Sequence, residues 1–200
     1  MNSLIQRISI GIVALVLLFL IVGKFLPSKH HVERSITINT PASVVFAEVN
    51  CYKNFNNWSP WANIDPNGKV SYEGPEAGVG SKMIWSSKNS KVGNGTQTIV
   101  VSEPYNHILV DLQFDGFKGK VTAGWKFDEI KAEETLVTWS NDSHNQGGIF
   151  SKYLDIIIQR QIGKSYEQGL KNLKSYVENL YTQQKATPAE AGSATAKPAV

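Results

Sequence analysis

An uncharged apolar run opens the hydrophobic pattern of the chain. Residues 8–23 hold sixteen apolar or small residues without a charge, and Arg7 and Lys24 flank them. A membrane-spanning helix needs about 20 mostly apolar residues, and flanking basic side chains can reach the two interfaces. The pattern predicts an uncleaved, single-pass membrane anchor, with basic residues too evenly balanced to favour either orientation. A cleaved signal peptide is the alternative, although its apolar region is normally ~7–15 residues and no A-x-A-like site precedes Pro27.

From residue 31 onward, apolar and polar residues alternate with a period of two. Segment 31–40 alternates and predicts a strand with one buried face, and the Thr40-Pro41 pair then favours a short helix that begins at Pro41. The Asn- and Pro-rich segment 54–61 ends that helix and leaves room for a turn or a second short helix. Six further stretches read as strands: Lys69–Gly74, Ser81–Ser87, Gly95–Glu103, Ile108–Phe114, Val121–Glu129 and Thr135–Asn141.

The two faces of these strands differ in polarity, which is typical of an antiparallel sheet with one face in water. Short turn signals at 103–106 and 131–134 favour hairpins, so we expect neighbouring strands to form a meander. The parity that we expect to face inward collects Val70, Tyr72, Met83, Trp85, Ile99, Val101, Ile108, Val110, Leu112, Phe114, Val121, Ala123, Trp125, Phe127, Val137 and Trp139.

A helical period covers Ile149–Tyr181, which contains no proline. At 1.5 Å per residue this helix reaches on the order of 50 Å, long enough to lie across the whole sheet. Its apolar positions recur at spacings of three and four, and we expect them to cover the sheet, with Leu170 and Leu173 fully buried. They are Phe150, Tyr153, Leu154, Ile157, Ile158, Ile162, Tyr166, Leu170, Leu173, Val177 and Leu180.

Together these elements predict an α+β architecture, a curved antiparallel sheet wrapped around a long C-terminal helix. The predicted organisation is an anchor and linker at 1–29, a folded domain at 30–182 and a tail at 183–200. The tail is rich in Ala, Pro, Ser and Thr, so it cannot bury enough apolar surface to offset the entropy of ordering. We therefore expect the tail to be disordered.

The charge distribution narrows the range of partners. The formal net charge of +3 matches the excess of Lys and Arg over Glu in residues 1–35, so the rest of the chain is neutral. A neutral body lacks the positive field that nucleic-acid binding needs, and we exclude that function. The single cysteine, Cys51, belongs to no metal-binding spacing, and we predict neither a metal nor a cofactor.

Catalytic patterns are sparse. His30 and His31 lie in the basic juxtamembrane stretch, and His107 and His144 lie at strand ends, where histidines usually face solvent. Asp142-Ser143-His144 has the composition of a triad, but triad residues come from distant elements and not from one tripeptide. The sequence predicts no catalytic residue.

Several local motifs occur in a fixed order along residues 31–181. They are Thr40-Pro41-Ala42, Phe55-x-x-Trp58-Ser59-Pro60-Trp61, Glu73-Gly74-Pro75 followed by Gly78-Val79-Gly80 and Trp85, Glu103-Pro104, Val137-x-Trp139, and Gly169-Leu170-Lys171-Asn172-Leu173-Lys174. This order resembles the START/polyketide-cyclase (SRPBCC) superfamily, and within it the bacterial polyketide cyclase/dehydrase-like branch. The resemblance implies the helix-grip fold and a hydrophobic cavity between sheet and helix that takes lipids, sterols, polyketides or other apolar molecules.

We therefore expect a membrane-anchored binding domain for a hydrophobic small molecule or lipid. Two alternatives stay open: a cyclase- or dehydrase-like enzyme on an apolar substrate, and an interaction module whose cavity is filled by its own side chains. Trp58 and Trp61 are assigned a structural role at the end of the sheet. The candidate pocket residues are Tyr72, Met83, Trp85, Val110, Leu112, Phe114, Trp125, Phe127, Trp139 and Asn141.

Overall fold

The computed structural model of the chain describes residues 2–191, with side chains for residues 3–186. One apolar helix precedes a sheet of seven strands, two short helices interrupt the strands, and a long helix follows them. The elements are α1 Asn2–Phe25, β1 Lys29–Ile38, α2 Ala42–Val49, α3 Tyr52–Phe55, β2 Lys69–Glu73, β3 Lys82–Ser86, β4 Asn94–Glu103, β5 His107–Phe114, β6 Gly119–Lys131, β7 Glu134–Asn145 and α4 Ile149–Ala191.

All seven strands form one antiparallel sheet in the order β1-β7-β6-β5-β4-β3-β2. The last six strands are the predicted meander, and β1 returns to pair with β7 along their whole length. The long helix α4 packs chiefly on β1, with further contacts to β7 and α2. This arrangement is the α+β helix-grip fold that the sequence predicts.

The hydrophobic core lies between the sheet, α2 and α4. Leu170, Leu173 and Val177 of α4 are fully buried, as are Ile108 and Val137 of the sheet. The predicted burial of the two leucines is therefore confirmed. Their spacing of three and four residues places them on one side of the helix, which faces the core.

The prediction that alternate strand residues face the core is wrong at the β2 end of the sheet. Val70 and Tyr72 are exposed, because β2 is an edge strand and α4 covers the opposite end. Phe114, the last residue of β5, is also exposed. A β-bulge between Ile99 and Val101 shifts the register of β4 against β5, and Val101 is only half-buried beyond it.

The long helix departs from prediction at both ends. Near its start, Phe150, Leu154, Ile157 and Ile158 are exposed and not packed on the sheet, which corrects the expectation for them. At its other end the helix continues to Ala191, ten residues beyond the predicted limit, so residues 183–191 of the predicted tail are helical. Residues 192–200 of that tail lie outside the described residues.

Contacts with the β6–β7 turn hold the helix beyond its predicted end, as far as Lys185. The hydroxyl of Tyr181 donates to Glu133 Oε1 at 3.0 Å, and the ammonium of Lys185 contacts the same oxygen. The Lys185 ammonium lowers the pKa of Glu133 below its usual range, with the Tyr181 hydroxyl acting in the same direction. The turn therefore binds the helix beyond its last buried residue.

The apolar helix α1 lies outside the core. Its segment Ser3–Phe25 is long and apolar enough to cross a membrane, a property that signal sequences share. Of the α1 residues whose burial is described, only Gly23 is buried, and it lies against Ile149 and Tyr153 of α4. Three residues separate α1 from β1, so the apolar helix and the domain are directly adjacent.

Candidate functional site

A small cavity of about 50 Å³ lies between the sheet, α3 and α4. Its wall is mostly aromatic, and four elements contribute the rings: α3, the turn after it, the β6–β7 pair and α4. The lining residues are Val49, Tyr52, Phe55, Trp58, Trp61, Gln97, Val110, Leu112, Ala123, Trp125, Trp139 and Tyr166.

Three rings form a stack along one wall of the cavity. Trp125 and Trp139 face each other across β6 and β7 in register, with ring centroids 4.3 Å apart and planes inclined by 19°. Tyr166 of α4 stacks on the other face of Trp139, with a centroid distance of 3.8 Å. Trp58 meets both tryptophans edge to face, at 5.6 and 6.0 Å. These geometries are favourable for aromatic pairs, so the wall is well packed.

Three polar atoms of the lining are buried without a hydrogen-bond partner in the described part of the chain. They are the hydroxyl oxygen of Tyr52 and the indole nitrogens of Trp58 and Trp139. An indole N–H only donates, and a phenol readily does so. Since an unpaired buried donor costs roughly 1–3 kcal/mol, these positions favour a molecule that brings a hydrogen-bond acceptor.

The titratable groups of the lining are tyrosines. Burial raises the pKa of Tyr52 and of Tyr166 well above the ordinary value, and for Tyr166 the neighbouring Asn141 opposes this only in part. Both phenols therefore stay protonated at neutral pH, and each keeps an O–H group that is able to donate a hydrogen bond. Within the described residues no group of three or more His, Cys, Asp or Glu side chains is placed to hold a metal ion.

The predicted pocket residues separate into three groups. Val110, Leu112, Trp125 and Trp139 line the cavity. The second group is buried without lining the cavity, and the third lies toward the open end of the sheet. The second group is Met83, Phe127 and Asn141, and the third is Tyr72, Trp85 and Phe114, of which Trp85 is half-buried against Phe114 and the others are exposed.

Sequence reasoning missed part of the cavity wall. Trp58 and Trp61, assigned a structural role, also line the cavity, and Tyr52, Gln97 and Tyr166 were not singled out for it. The aromatic cluster around Trp58 was the available signal. Tyr166 precedes the buried Leu170 by four residues and Leu173 by seven, a spacing that places all three on one helical face.

A wider depression of about 830 Å³ lies near the β2–β3 end. Its lining is polar and open to solvent, and includes Asp65, Lys69 and Lys88. It lacks the apolar wall of a hydrophobic site, so the aromatic cavity is the better candidate despite its smaller volume.

A histidine–carboxylate pair joins β1 to β7 on the surface of the sheet. His31 Nδ1 lies 2.8 Å from Asp142 Oδ1, and its Nε2 lies 3.6 Å from Glu33. The hydrogen bond to Asp142 is the main cause that raises the pKa of His31 above its ordinary value of 6.5. Its stabilising contribution is complete below about pH 6.5 and is lost as the pH rises through the folded pKa.

We expect Asp142→Asn to lower the pKa of His31 toward 6.5. Proton NMR of the imidazole against pH measures this shift, and Asp128→Asn, on another strand, is the control that should leave it unchanged. Both side chains are more than half exposed, so the associated change in stability is small. An unchanged His31 pKa in Asp142→Asn would contradict the contact.

Solved structures with the same fold include enzymes and a protein designated Ara h 8.0201. Norcoclaurine synthase from Thalictrum flavum, in complex with dopamine and hydroxybenzaldehyde, is 8% identical, with a TM-score of 0.60 over 80% of this chain and 92% of that one. The Zhui aromatase/cyclase from Streptomyces sp. R1128 is 15% identical, with a TM-score of 0.53 over 75% and 94%. Ara h 8.0201 is 14% identical, with a TM-score of 0.51 over 76% and 99%.

The family relationship comes from the sequence match. A search of curated proteins found no match. A family model described as polyketide cyclase / dehydrase and lipid transport matches residues 29–178, from the first residue of β1 to the turn of α4 that follows Val177. This match covers the whole sheet and every residue of the cavity wall, and the chain therefore belongs to the polyketide cyclase/dehydrase and lipid transport family.

Proposed function

We propose that this chain is a membrane-anchored domain that binds a hydrophobic ligand, such as a lipid, in the aromatic cavity. The observation that carries the proposal is the set of unpartnered donors in a mostly aromatic wall. Small-molecule sites have this composition, with a few polar groups that fix the orientation of an apolar ligand. The family description, which includes lipid transport, supports the same class of ligand.

Anchoring by α1 is the second part of the proposal. The segment Ser3–Phe25 has the length and composition of a membrane span. Because only three residues lie between α1 and β1, an anchored domain sits at the membrane surface. A lipid therefore has a short path between the bilayer and the domain.

The ligand that fits this lining is apolar and carries a hydrogen-bond acceptor. Carboxyl, carbonyl and hydroxyl oxygens satisfy the phenol of Tyr52 and the indoles of Trp58 and Trp139. The cavity wall has no carboxylate, imidazole or thiol. We propose binding, and we assign no catalytic residue to this wall.

A ligand larger than a few water molecules requires the cavity to open. Its volume of about 50 Å³ is well below the roughly 300–1,000 Å³ of ordinary ligand pockets. Phe55 and Trp61 are only half-buried, and residues 62–68 after them have no helix or strand. We assign the entrance to this side, where two rings and a loop can move without disturbing the sheet.

The second candidate function is an interaction module whose interior is filled by its own rings. The small cavity and the Trp125–Trp139–Tyr166 stack favour it. The two candidates differ in one measurable respect, because only a binding domain places a hydrophobic molecule inside the aromatic cavity.

Photo-crosslinking of the full chain in nanodiscs separates the two candidates. We expect a diazirine fatty acid to label peptides that contain Trp58, Trp61 or Tyr166, as mapped by mass spectrometry. Contact with the bilayer alone would label α1 and leave the cavity peptides unmodified. That result would contradict the binding proposal and support the filled module.

Tyr52→Phe tests the role of the unpartnered donors. We expect it to weaken labelling of the cavity by about two- to tenfold, the value of one hydrogen bond of ~0.5–1.5 kcal/mol. Stability should be unchanged or slightly raised, because an unpaired buried hydroxyl is removed. Thermal melting measures stability, and Tyr72→Phe, at an exposed residue outside the cavity, is the matched control. Loss of stability without loss of labelling would contradict the assigned role.

A further inference from the structure

The first turns of α4 have reversed polarity. Five large apolar side chains, Phe150, Leu154, Ile156, Ile157 and Ile158, are between 45% and 69% exposed. The residue that faces the protein interior between them is Asp155, which is 4% exposed. A helix on the surface of a soluble domain has the opposite arrangement, with its apolar face inward.

Specific polar contacts fix this orientation of the helix. Asn145 Nδ2 donates to Asp155 Oδ2 at 2.6 Å, and Gln159 Nε2 donates to Ser143 Oγ at 2.9 Å. Both contacts join α4 to the C-terminal end of β7. Turning the apolar side chains of the helix toward the sheet would break both contacts.

The same segment of α4 packs against α1. The ring of Tyr153 stacks on Phe19 with centroids 4.3 Å apart, and its hydroxyl donates to the Phe19 carbonyl at 2.6 Å. Ile149 and Tyr153 both lie against Gly23. Lys152 Nζ donates to the Leu26 carbonyl just after α1. The apolar start of α4 is thus continuous with the apolar surface of α1.

The position of Phe19 within α1 sets the depth of this contact. Phe19 lies six residues before the end of α1, which corresponds to about 9 Å along the helix axis. If α1 spans the bilayer, the ring of Tyr153 lies at about that depth from the helix end. Interfacial helices insert their apolar face to a similar depth of about 5–10 Å.

We propose that residues 149–158 of α4 insert into the same membrane leaflet as the C-terminal end of α1. The occupant of the exposed apolar face is the lipid bilayer, because the face continues the surface of the proposed span. Exposed Lys24 and Arg160 flank it and can reach the headgroups. The inference rests on the proposed anchoring by α1 and adds a second membrane contact that the α1 sequence does not provide.

This second contact fixes the orientation of the domain on the membrane. A single span followed by three linker residues leaves the domain free to tilt, whereas two adjacent apolar segments hold it in one position. Tyr166 of the cavity wall lies nine residues beyond Ile157, about 14 Å further along α4. The cavity is therefore held close to the bilayer surface, which suits exchange of a lipid.

Depth-dependent fluorescence quenching of the full chain in liposomes tests the insertion. Single cysteines are introduced into a Cys51→Ser background by Leu17→Cys, Ile157→Cys and Lys171→Cys, at positions that are exposed on the protein, and each is labelled with the fluorophore NBD. We expect lipids with a doxyl group near the headgroup to quench the label at position 157, and lipids with a deeper doxyl group to quench the label at 17. The label at 171 should stay in water, with quenching by iodide and not by doxyl lipids.

The three positions distinguish the possible failures. A label at 157 that behaves like the one at 171, with the label at 17 quenched by lipid, would overturn the insertion of α4 and leave the anchor intact. Loss of lipid quenching at both 17 and 157 would overturn the anchor and the insertion together. A label at 157 that is shielded from iodide and from doxyl lipids would show that protein covers the face, and would also overturn the proposal. Phe150→Cys repeats the measurement at a second residue of the same face.

Discussion

Replacing Leu170 by alanine is expected to lower the free energy of unfolding by roughly 2–5 kcal/mol. Leu170 is 1% exposed and belongs to the core cluster that joins α4 to the sheet and α2. The change removes buried methyl groups and leaves a cavity that rigid neighbours cannot fill. Denaturant unfolding of the full chain in detergent micelles, followed by tryptophan fluorescence, measures the loss.

Lys171→Ala is the control for this prediction. It places alanine at the neighbouring residue of the same helix, where the side chain is exposed and lies outside the proposed membrane face. A surface substitution usually changes stability by no more than about 0.5 kcal/mol, so the two variants should differ by several fold. Equal losses would mean that α4 does not cover the sheet through the Leu170 face, and the helix-grip packing would be wrong.

The strands and the meander of the last six were predictable because the alternation of apolar and polar residues repeats. A sheet with one face in water and one buried face requires apolar and polar residues to alternate along each strand. Short turns between the strands then favour hairpins. The same pattern does not show which strands of the sheet lie beyond the part that α4 covers. Tyr72 and Val70 alternate as buried residues do, and yet they lie on an edge strand away from α4.

The start of α4 shows a second limit of periodicity. Spacings of three and four residues identify an apolar helical face but do not identify the medium that covers it. Phe150 and Ile157 satisfy the pattern as well as Leu170 does, although only Leu170 packs on the core. The distinguishing signal is Asp155, whose buried carboxylate marks the inner face and is paired with Asn145.

Of the residues that line the cavity, the sequence pattern could identify only those that are apolar and belong to the sheet. Trp125 and Trp139 follow from parity, because inward positions on adjacent strands meet in a curved sheet. Gln97 lies on the same face of β4 as Ile99, but a polar side chain is not recognised as part of a hydrophobic pattern. Tyr52 enters the wall from α3, and no local pattern specifies how that short helix lies against the sheet.

The second large effect is expected at Gly169, where the backbone of α4 lies against the ring of Trp139. A Cβ atom at this position would lie 2.7 Å from Cζ3 of Trp139 and 3.0 Å from Cδ of Pro60. In an exposed helix, replacing glycine with alanine stabilises by about 1 kcal/mol. Here the indole of Trp139 is held between Trp125 and Tyr166 and cannot move aside. The cost of overpacking therefore exceeds the gain in helix propensity. We expect Gly169→Ala to lower the free energy of unfolding by roughly 1–3 kcal/mol.

Gly163→Ala, two turns earlier on α4, separates this crowding from a general effect of alanine in the helix. A Cβ at Gly163 would meet the guanidinium of Arg34 at 2.6 Å, the far end of a flexible side chain that is partly exposed. Arg34 can swing away at the cost of its contact with Glu167, so the stability should change little. Near-UV circular dichroism provides a second measurement, because a displaced Trp139 alters its coupling to Trp125, and only Gly169→Ala should change that signal. A Gly169→Ala variant that is as stable as the parent and has an unaltered spectrum would show that α4 lies farther from Trp139, and that the cavity wall is looser than this geometry requires.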